Sequence, residues 1–432
     1  MRSAALGFWW LLAAVEGQAP IGRHELLEYD VHMETEPMRR YSKVLDDFLP
    51  KREGRVLQAF QETYKEWKTV LEVILPSLWN GTEMLQNQQR LWQAFEAHPE
   101  ARAELQGLSA ALARQERHFT PQALAMVISM YPLLNIAPKA TTDAGPSGPS
   151  ACTSSLLLSG GVLHGRSLDY EPRDPMAETT VVIRHRLKDK VQYTCLQPLV
   201  YTTALQWFTC VRPKAFSLSV NARARGIHME SNTSFDEFLR RVGSGAYFLG
   251  EIAEKAMAAT SYEEALALLV SLPVVSSNYF ILAGTHGQGA IITRFGNSSA
   301  ADVWSLKSST STSDGQPPWL RVQTNVDHWV PFGETYATHR RQHLVEMLTA
   351  EKRRAPASRE DFMKAYFVSN AMKGSENRTS PEDTGAILRP TTIATVFLDP
   401  SEEEPNISRW FLWNATPKVL PPQSPNSVGL LV

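Results

Sequence analysis

A Pro/Gly/Ser-rich stretch, Thr141 to Ala151, divides this chain into two parts of different periodicity, and Cys152 follows it directly. Before the stretch, apolar residues recur at helical spacing; after it, runs of strand length dominate, bounded by Gly, Pro or Asn. A chain patterned this way is expected to layer sheets against helices. An exposed linker ending at Ala151 also leaves the bond before Cys152 open to cleavage. Cutting there would place an α-amino group on the residue that carries the thiol. A thiol titrates near about 8.5 and an α-amino group at about 7.7–8.0, so one residue can supply both nucleophile and base.

The helical part contains one conspicuous apolar stripe, Leu57, Phe60, Tyr64, Trp67, Leu71, Ile74 and Leu78, within Val56 to Leu78. Packing against the rest of the protein explains it better than docking on a membrane. Leu105 to Leu112 and Ala123 to Leu134 are further predicted helices, and Leu26 to Met33 is a short extended piece suited to a sheet edge. Beyond the linker, strands are predicted over Ser154–Leu158, Val162–Leu168, Thr179–Arg186, Val191–Leu196, Phe216–Val220, Asn278–Ala283, Ala290–Phe295 and Thr392–Leu398. Gly284 to Gly289 reads as a hairpin loop; no helix follows it, as a phosphate-binding loop would require. Phe235 to Met257 is predicted as one helix and Tyr262 to Leu269 as another, the second opened by a Ser261-x-x-Glu264 capping box. A last helix starts near Ser358, and the tail after Pro417 is Pro-rich.

At 432 residues the chain can bury a large core without a disulfide scaffold. A formal charge of −2 gives no electrostatic case for nucleic acid, though weak peripheral contact with lipid is compatible with it. Arg2 followed by the apolar run Ala4 to Val15 and the small Gly17 has the form of a signal peptide over residues 1–17. Six of thirteen asparagines lie in N-x-S/T sequons, at Asn80, Asn232, Asn297, Asn377, Asn406 and Asn414, which supports a secretory route and glycosylation. That route permits disulfides. Of the three cysteines, Cys195 and Cys210 either pair, leaving Cys152 as the free thiol, or lie unpaired in neighbouring strands. There is no G-x-S-x-G elbow, and Gly243-Ser244-Gly245 reads as a flexible joint in a helical run. His24-Glu25 lacks the second histidine of a zinc helix, so neither metal nor cofactor is called for.

Arg166 and Asp169 follow the cysteine at a spacing of three, so in a regular strand they face opposite ways. For both to line one site, the chain would have to turn within Ser167 to Tyr170. Asn325, in Thr324-Asn325-Val326-Asp327-His328-Trp329, is a side chain that can donate to an oxyanion without titrating.

Taken together, Cys152-Thr153-Ser154, His164-Gly165-Arg166-Ser167-Leu168-Asp169-Tyr170, Ile291-Ile292-Thr293-Arg294, Ala301-Asp302-Val303-Trp304, Val322 to Trp329 and the pair Arg340-Arg341 resemble the cholesterylglycine-hydrolase-like amidases. That family includes acid ceramidase and N-acylethanolamine acid amidase. The resemblance runs from about Tyr29 onward and implies an α+β, four-layer αββα N-terminal-nucleophile hydrolase fold. It implies a mainly helical N-terminal subunit, residues 18–151, and a catalytic subunit, residues 152–432, cut apart between Ala151 and Cys152 and held together as a heterodimer. It further implies a lysosomal enzyme acting on a fatty-acid amide lipid. On the matching positions Cys152 would be nucleophile and base, Asp169 would hold its amine, and Arg166 would position thiol and substrate. Asn325 would help form the oxyanion hole and Arg340 would support the site by ion pairing. Leu168-Asp169-Tyr170 and Asp327-His328-Trp329 are similar to the acylethanolamine branch.

The sequence also departs from that pattern. Ala222 stands where the family usually has a glutamate linked to acid-dependent self-cleavage, Ser167 replaces an asparagine, and the first subunit lacks the family's cysteine pair. Three readings follow: an acid amidase for N-acylethanolamines, a related amidase for ceramide or another N-acyl amide, and a catalytically impaired lipid-binding homologue.

Overall fold

In the computed structural model the described residues are 26–51, 81–114, 119–136, 150–170, 173–199, 209–223, 234–296, 301–307, 316–332, 336–349, 358–367, 392–406 and 410–412. The signal stretch, the apolar stripe within Val56 to Leu78 and all the sequons but Asn406 lie outside them; Asn406 is exposed.

Among the described residues, thirteen strands form two sheets. The larger contains β1 (Glu28–His32), β4 (Thr180–Leu187), β5 (Lys190–Pro198), β6 (Thr209–Arg212), β7 (Phe216–Ala222), β8 (Asn278–Gly284), β9 (Gly289–Arg294) and β10 (Ala301–Ser305), side by side in that order. Its neighbours are antiparallel except β1, the expected edge strand, which runs parallel to β4. The smaller sheet has the order β11 (Leu320–Gln323), β2 (Ser150–Leu158), β3 (Val162–Tyr170), β12 (Thr392–Leu398), β13 (Trp410–Leu412).

The described helices are α1 (Pro37–Arg40), α2 (Ser42–Lys51), α3 (Gly81–Ala94), α4 (Pro99–Arg114), α5 (Pro121–Ile136), α6 (Arg173–Thr179), α7 (Phe235–Gly243), α8 (Leu249–Ala258), α9 (Tyr262–Ser271), α10 (Tyr336–Thr349) and α11 (Arg359–Phe367). The sheets face one another through β2 and β3 against β7 and β8; α8 and α9 cover the outer face of the larger sheet, and α10 and α11 that of the smaller. Helix, sheet, sheet, helix is the four-layer α+β order expected from the resemblance.

Successive side chains of a strand point to opposite faces, and the strands obey this throughout the core. Leu156 joins an inter-sheet cluster with Val162, Tyr279, Ile281, Ile291 and Trp304, whereas Leu157 packs outward with Val322, Leu344 and Phe362. β2, β3, β4, β5, β7, β8, β9 and β12 were legible as strand-length runs bounded by Gly, Pro or Asn, and β1 as a short extended piece. β6, β10, β11 and β13 are five residues or fewer and carry too little pattern to stand out. The linker also ends earlier than its composition implies: β2 starts at Ser150, and Ala151 and Cys152 pair with Asp169 and Leu168. The bond between them therefore lies inside the sheet rather than on an exposed loop.

The stretch predicted as one helix over Phe235 to Met257 is two, α7 and α8. Gly245 has a φ of 79°, a left-handed conformation suited to glycine that ends α7. The Phe248 N–H then donates to the Glu251 carboxylate to open α8. Ser261 caps α9 by accepting from the Glu264 N–H at 3.2 Å, but Glu264 returns to the Thr260 N–H, so only half of the expected box forms. Cys195 and Cys210 are joined in a disulfide between directly opposed positions of β5 and β6.

Candidate active site

Cys152 lies on the third position of β2, wholly buried, and its thiol faces the larger sheet. The register sets its neighbours. Cys152 is opposite Leu168 and Ser154 is opposite Arg166, so all four side chains share the inter-sheet face. From there Arg166 donates to the Val220 carbonyl with Nη1 at 2.6 Å and approaches Cys152 Sγ with Nη2 at 3.5 Å.

Asp169 faces the other way. It accepts from Thr392 Oγ1 at 2.7 Å and Ser167 Oγ at 3.3 Å, and pairs with Arg340 Nη1 of α10 at 3.5 Å. Strand β3 continues to Tyr170, so the turn that the spacing of Arg166 and Asp169 called for does not form. The irregularity sits in the neighbouring strand instead, where the register of β12 shifts between Thr392 and Ala394. The smaller sheet thus passes between the two charges, with Cys152 on the strand beside both.

Asn325 follows the end of β11 and completes the enclosure from the side. Its Oδ1 accepts from the Cys152 N–H at 2.8 Å and from Arg340 Nη2 at 2.7 Å, and its Nδ2 donates to the Ala222 carbonyl at 2.9 Å. Turning the amide over would set donor against donor and carbonyl against carbonyl, so these three bonds fix its orientation. One of the two Asn325 amide N–H donors is thus committed to Ala222, and the amide carbonyl serves the Cys152 nitrogen. Arg340 also donates to Thr153 Oγ1 at 3.1 Å. Its neighbour Arg341 does different work, donating to the Asp327 and Val330 carbonyls to hold the turn after Asn325.

Burial pushes the Cys152 thiol up; Arg166 opposes this, the Asp169 charge adds to it, and the Ala222 N–H and Arg340 pull it back, leaving it raised. Burial thus favours the protonated thiol over the thiolate.

All five sequence-derived site residues, Cys152, Arg166, Asp169, Asn325 and Arg340, are buried and meet in one hydrogen-bonded group. Several contributors were not singled out from sequence: Thr153, Thr392, Asp327, Asn221, Ser154, Ser219 and His164. Asp327 accepts from Arg223 through both oxygens, at 2.8 and 2.7 Å, and from the Tyr279 hydroxyl at 2.7 Å, pinning the turn that carries Asn325 to the end of β7. The polar alternation of β7, Phe-Ser-Leu-Ser-Val-Asn-Ala, was the available signal for the rest, because its Ser217, Ser219 and Asn221 share the face opposite Cys152. Among the described residues there is no cluster of side chains suited to a metal ion.

A free thiol whose own backbone nitrogen is held by a side chain, between two packed sheets, defines a candidate cysteine nucleophile of the αββα class. Part of the chain is similar to known amide hydrolases. The chain is 28% identical over 201 residues to an N-acylethanolamine-hydrolyzing acid amidase of Caenorhabditis elegans, covering 45% of this chain and 52% of the amidase. It is 28% identical over 224 residues to that of Oryctolagus cuniculus, covering 51% and 58%. Human acid ceramidase is 26% identical over 197 residues, covering 41% and 46%. The chain spans about half the length of the curated relatives it matches. No family model matches it. A solved structure of the Caenorhabditis elegans amidase aligns with 60% of this chain and 97% of its own at 22% identity, with a TM-score of 0.43.

Proposed function

We propose that this protein is a cysteine amidohydrolase that becomes active by cleavage before Cys152 and hydrolyses N-acylethanolamines to fatty acid and ethanolamine. One observation carries the reading: the Cys152 nitrogen and sulfur are each met by a separate buried group, Asn325 Oδ1 and the Arg166 guanidinium. Cleavage begins as the thiol attacks the Ala151 carbonyl, moving the acyl group from nitrogen to sulfur; water then releases Ala151 as a carboxylate. The freed amine takes the thiol proton, and the thiolate attacks the substrate carbonyl. Ethanolamine leaves with that proton, and water hydrolyses the thioester. Arg166 holds sulfur, Asn325 and Asp169 hold the amine, and Arg340 ties these two acceptors together. One Asn325 N–H is used by the Ala222 carbonyl, and the second N–H of the same amide is the donor left for an oxyanion.

The secretory features support a lysosomal glycoprotein whose two subunits stay joined. Similarity to acid ceramidase as well as to the ethanolamide amidases makes ceramide the second substrate to try. Incubation of the purified protein at mildly acid pH, with N-terminal sequencing and a panel of fatty-acyl ethanolamides, ceramides and acyl amino acids, tests the reading. Two chains, one starting at Cys152, with ethanolamides preferred, are expected. No cutting and no turnover under any acidic condition would favour a lipid-binding role, as Ala222 in place of a carboxylate would allow.

A further inference from the structure

Between the sheets, next to the thiol, runs a chain of five buried polar side chains whose hydrogen-bond directions can be deduced from one end. Asn221 Nδ2 donates to the Gln323 carbonyl at 3.0 Å, so its Oδ1 is the acceptor for Ser154 Oγ at 2.8 Å. That spends the single Ser154 proton. Ser219, 3.2 Å away, must then donate to Ser154. With its own proton spent, Ser219 must accept from His164 Nε2 at 2.8 Å. Burial first and Arg166 second push the imidazole down to about 3, so it carries one proton, on Nε2. His164 Nδ1 is therefore the acceptor for Ser217 Oγ at 2.9 Å.

This chain touches every strand that carries the site. Ser154 is two residues beyond Cys152 on β2, His164 two before Arg166 on β3, and Asn221 directly before Ala222 on β7. Arg166, from the neighbouring strand of the same sheet, approaches Sγ at 3.5 Å, and the Ala222 N–H bonds to it from β7 across the gap between sheets. We propose that His164 is a positioning residue for the thiol: as the neutral Nε2–H tautomer it sets, through Ser219, Ser154 and Asn221, the spacing of β2 and β7 at Cys152. The chain runs in one direction only. A side chain that donates at the Nε2 position preserves it, and one that cannot donate there leaves the buried Ser219 oxygen without its donor and free to turn away from Ser154.

The inference rests on the proposed function for its catalytic consequence but not for its physical test. Histidine-labelled full-length protein is examined by 15N NMR from neutral to about pH 4, with His164→Gln assigning the signal. A neutral Nε2–H imidazole that does not titrate over that range is expected. An Nδ1–H tautomer or a charged ring would overturn the inference. Turnover by the cut enzyme is then compared for His164→Gln, His164→Asn and Ser219→Ala, beside the ultraviolet absorbance of the Cys152 thiolate against pH. Glutamine places an N–H near Nε2, so kcat should stay within about threefold of wild type. Asparagine and Ser219→Ala should lower kcat by about 10-fold or more with KM unchanged, and shift the thiolate midpoint. Equal loss in the glutamine and asparagine variants, or an unmoved midpoint in Ser219→Ala, would contradict it. If the wild-type chain turns over no amide, the proposed function fails while the NMR and thiolate titrations still read the seam.

Discussion

At the residue scale, Arg166 uses separate nitrogens for the Val220 carbonyl and for Cys152 Sγ, a forked geometry that a lysine cannot reproduce. Arg166→Lys should therefore lower kcat by about 100-fold while leaving cleavage before Cys152 detectable, which rate measurement and fragment sizing read independently. Cys152→Ala should abolish both. Cys152 stood out by its place after the linker, and Arg166, Asp169, Asn325 and Arg340 by motif blocks. How they meet was not. Asp169 and Arg166 lie on opposite faces of one sheet, and no spacing rule shows that a strand can be the partition between two charges. Gly165 illustrates the same limit: a Cβ there would lie 2.8 Å from the Tyr366 ring of α11, a contact between residues 201 positions apart.

At the element scale, the N-terminal helices are fastened to the later part of the chain by buried polar contacts. His98, just before α4, meets the Glu251 carboxylate with Nδ1 at 2.9 Å and the Val242 carbonyl with Nε2 at 3.0 Å. Both partners are acceptors, so both ring nitrogens must donate and the ring is charged. Burial opposes this, but the Glu251 bond and charge and the Val242 carbonyl outweigh it and raise the pKa. Such a contribution is fully present below the unfolded value of about 6.5 and is lost as pH rises through the raised folded value. His98→Gln should thus lose most stability, relative to wild type, in acid, and progressively less above neutrality; denaturation across pH checks the sign. Glu254, raised by burial against the pull of Arg40, acts in the same direction. If the chain is cut before Cys152, these contacts join its two products. The disulfide closes a loop of separation 15 between β5 and β6, and Cys195→Ser with Cys210→Ser should lower stability by about 3 kcal/mol in thermal or denaturant unfolding. Two cysteines were visible in sequence, but their pairing depended on β6, a strand of four residues with no pattern of its own.

At the scale of the whole molecule, acid both secures and strains the fold. His164 and His185 are each buried and held down to about 3, by burial first and then by Arg166 and Arg40 respectively. The unfolded chain takes up those protons and the native one does not, so stability falls as pH drops from about 6.5 towards 3, by about 1.4 kcal/mol per pH unit for each ring. His185→Phe should flatten the acid limb of the stability curve by that slope, as unfolding at a series of pH values would show. A layered α+β arrangement was legible because long buried strands and amphipathic helices announce themselves, and its αββα order came only with the family resemblance, whereas the start of β2 was hidden by a Ser-Ala pair continuous with the linker. That hidden start matters, because it places the bond proposed to be cut within a sheet, beside the groups proposed to cut it. N-terminal sequencing and intact mass of a preparation that is turning over N-acylethanolamine test this directly. A larger fragment beginning at Cys152, in proportion to activity, is the expected result; undiminished turnover by chains in which Ala151 and Cys152 remain joined would contradict it.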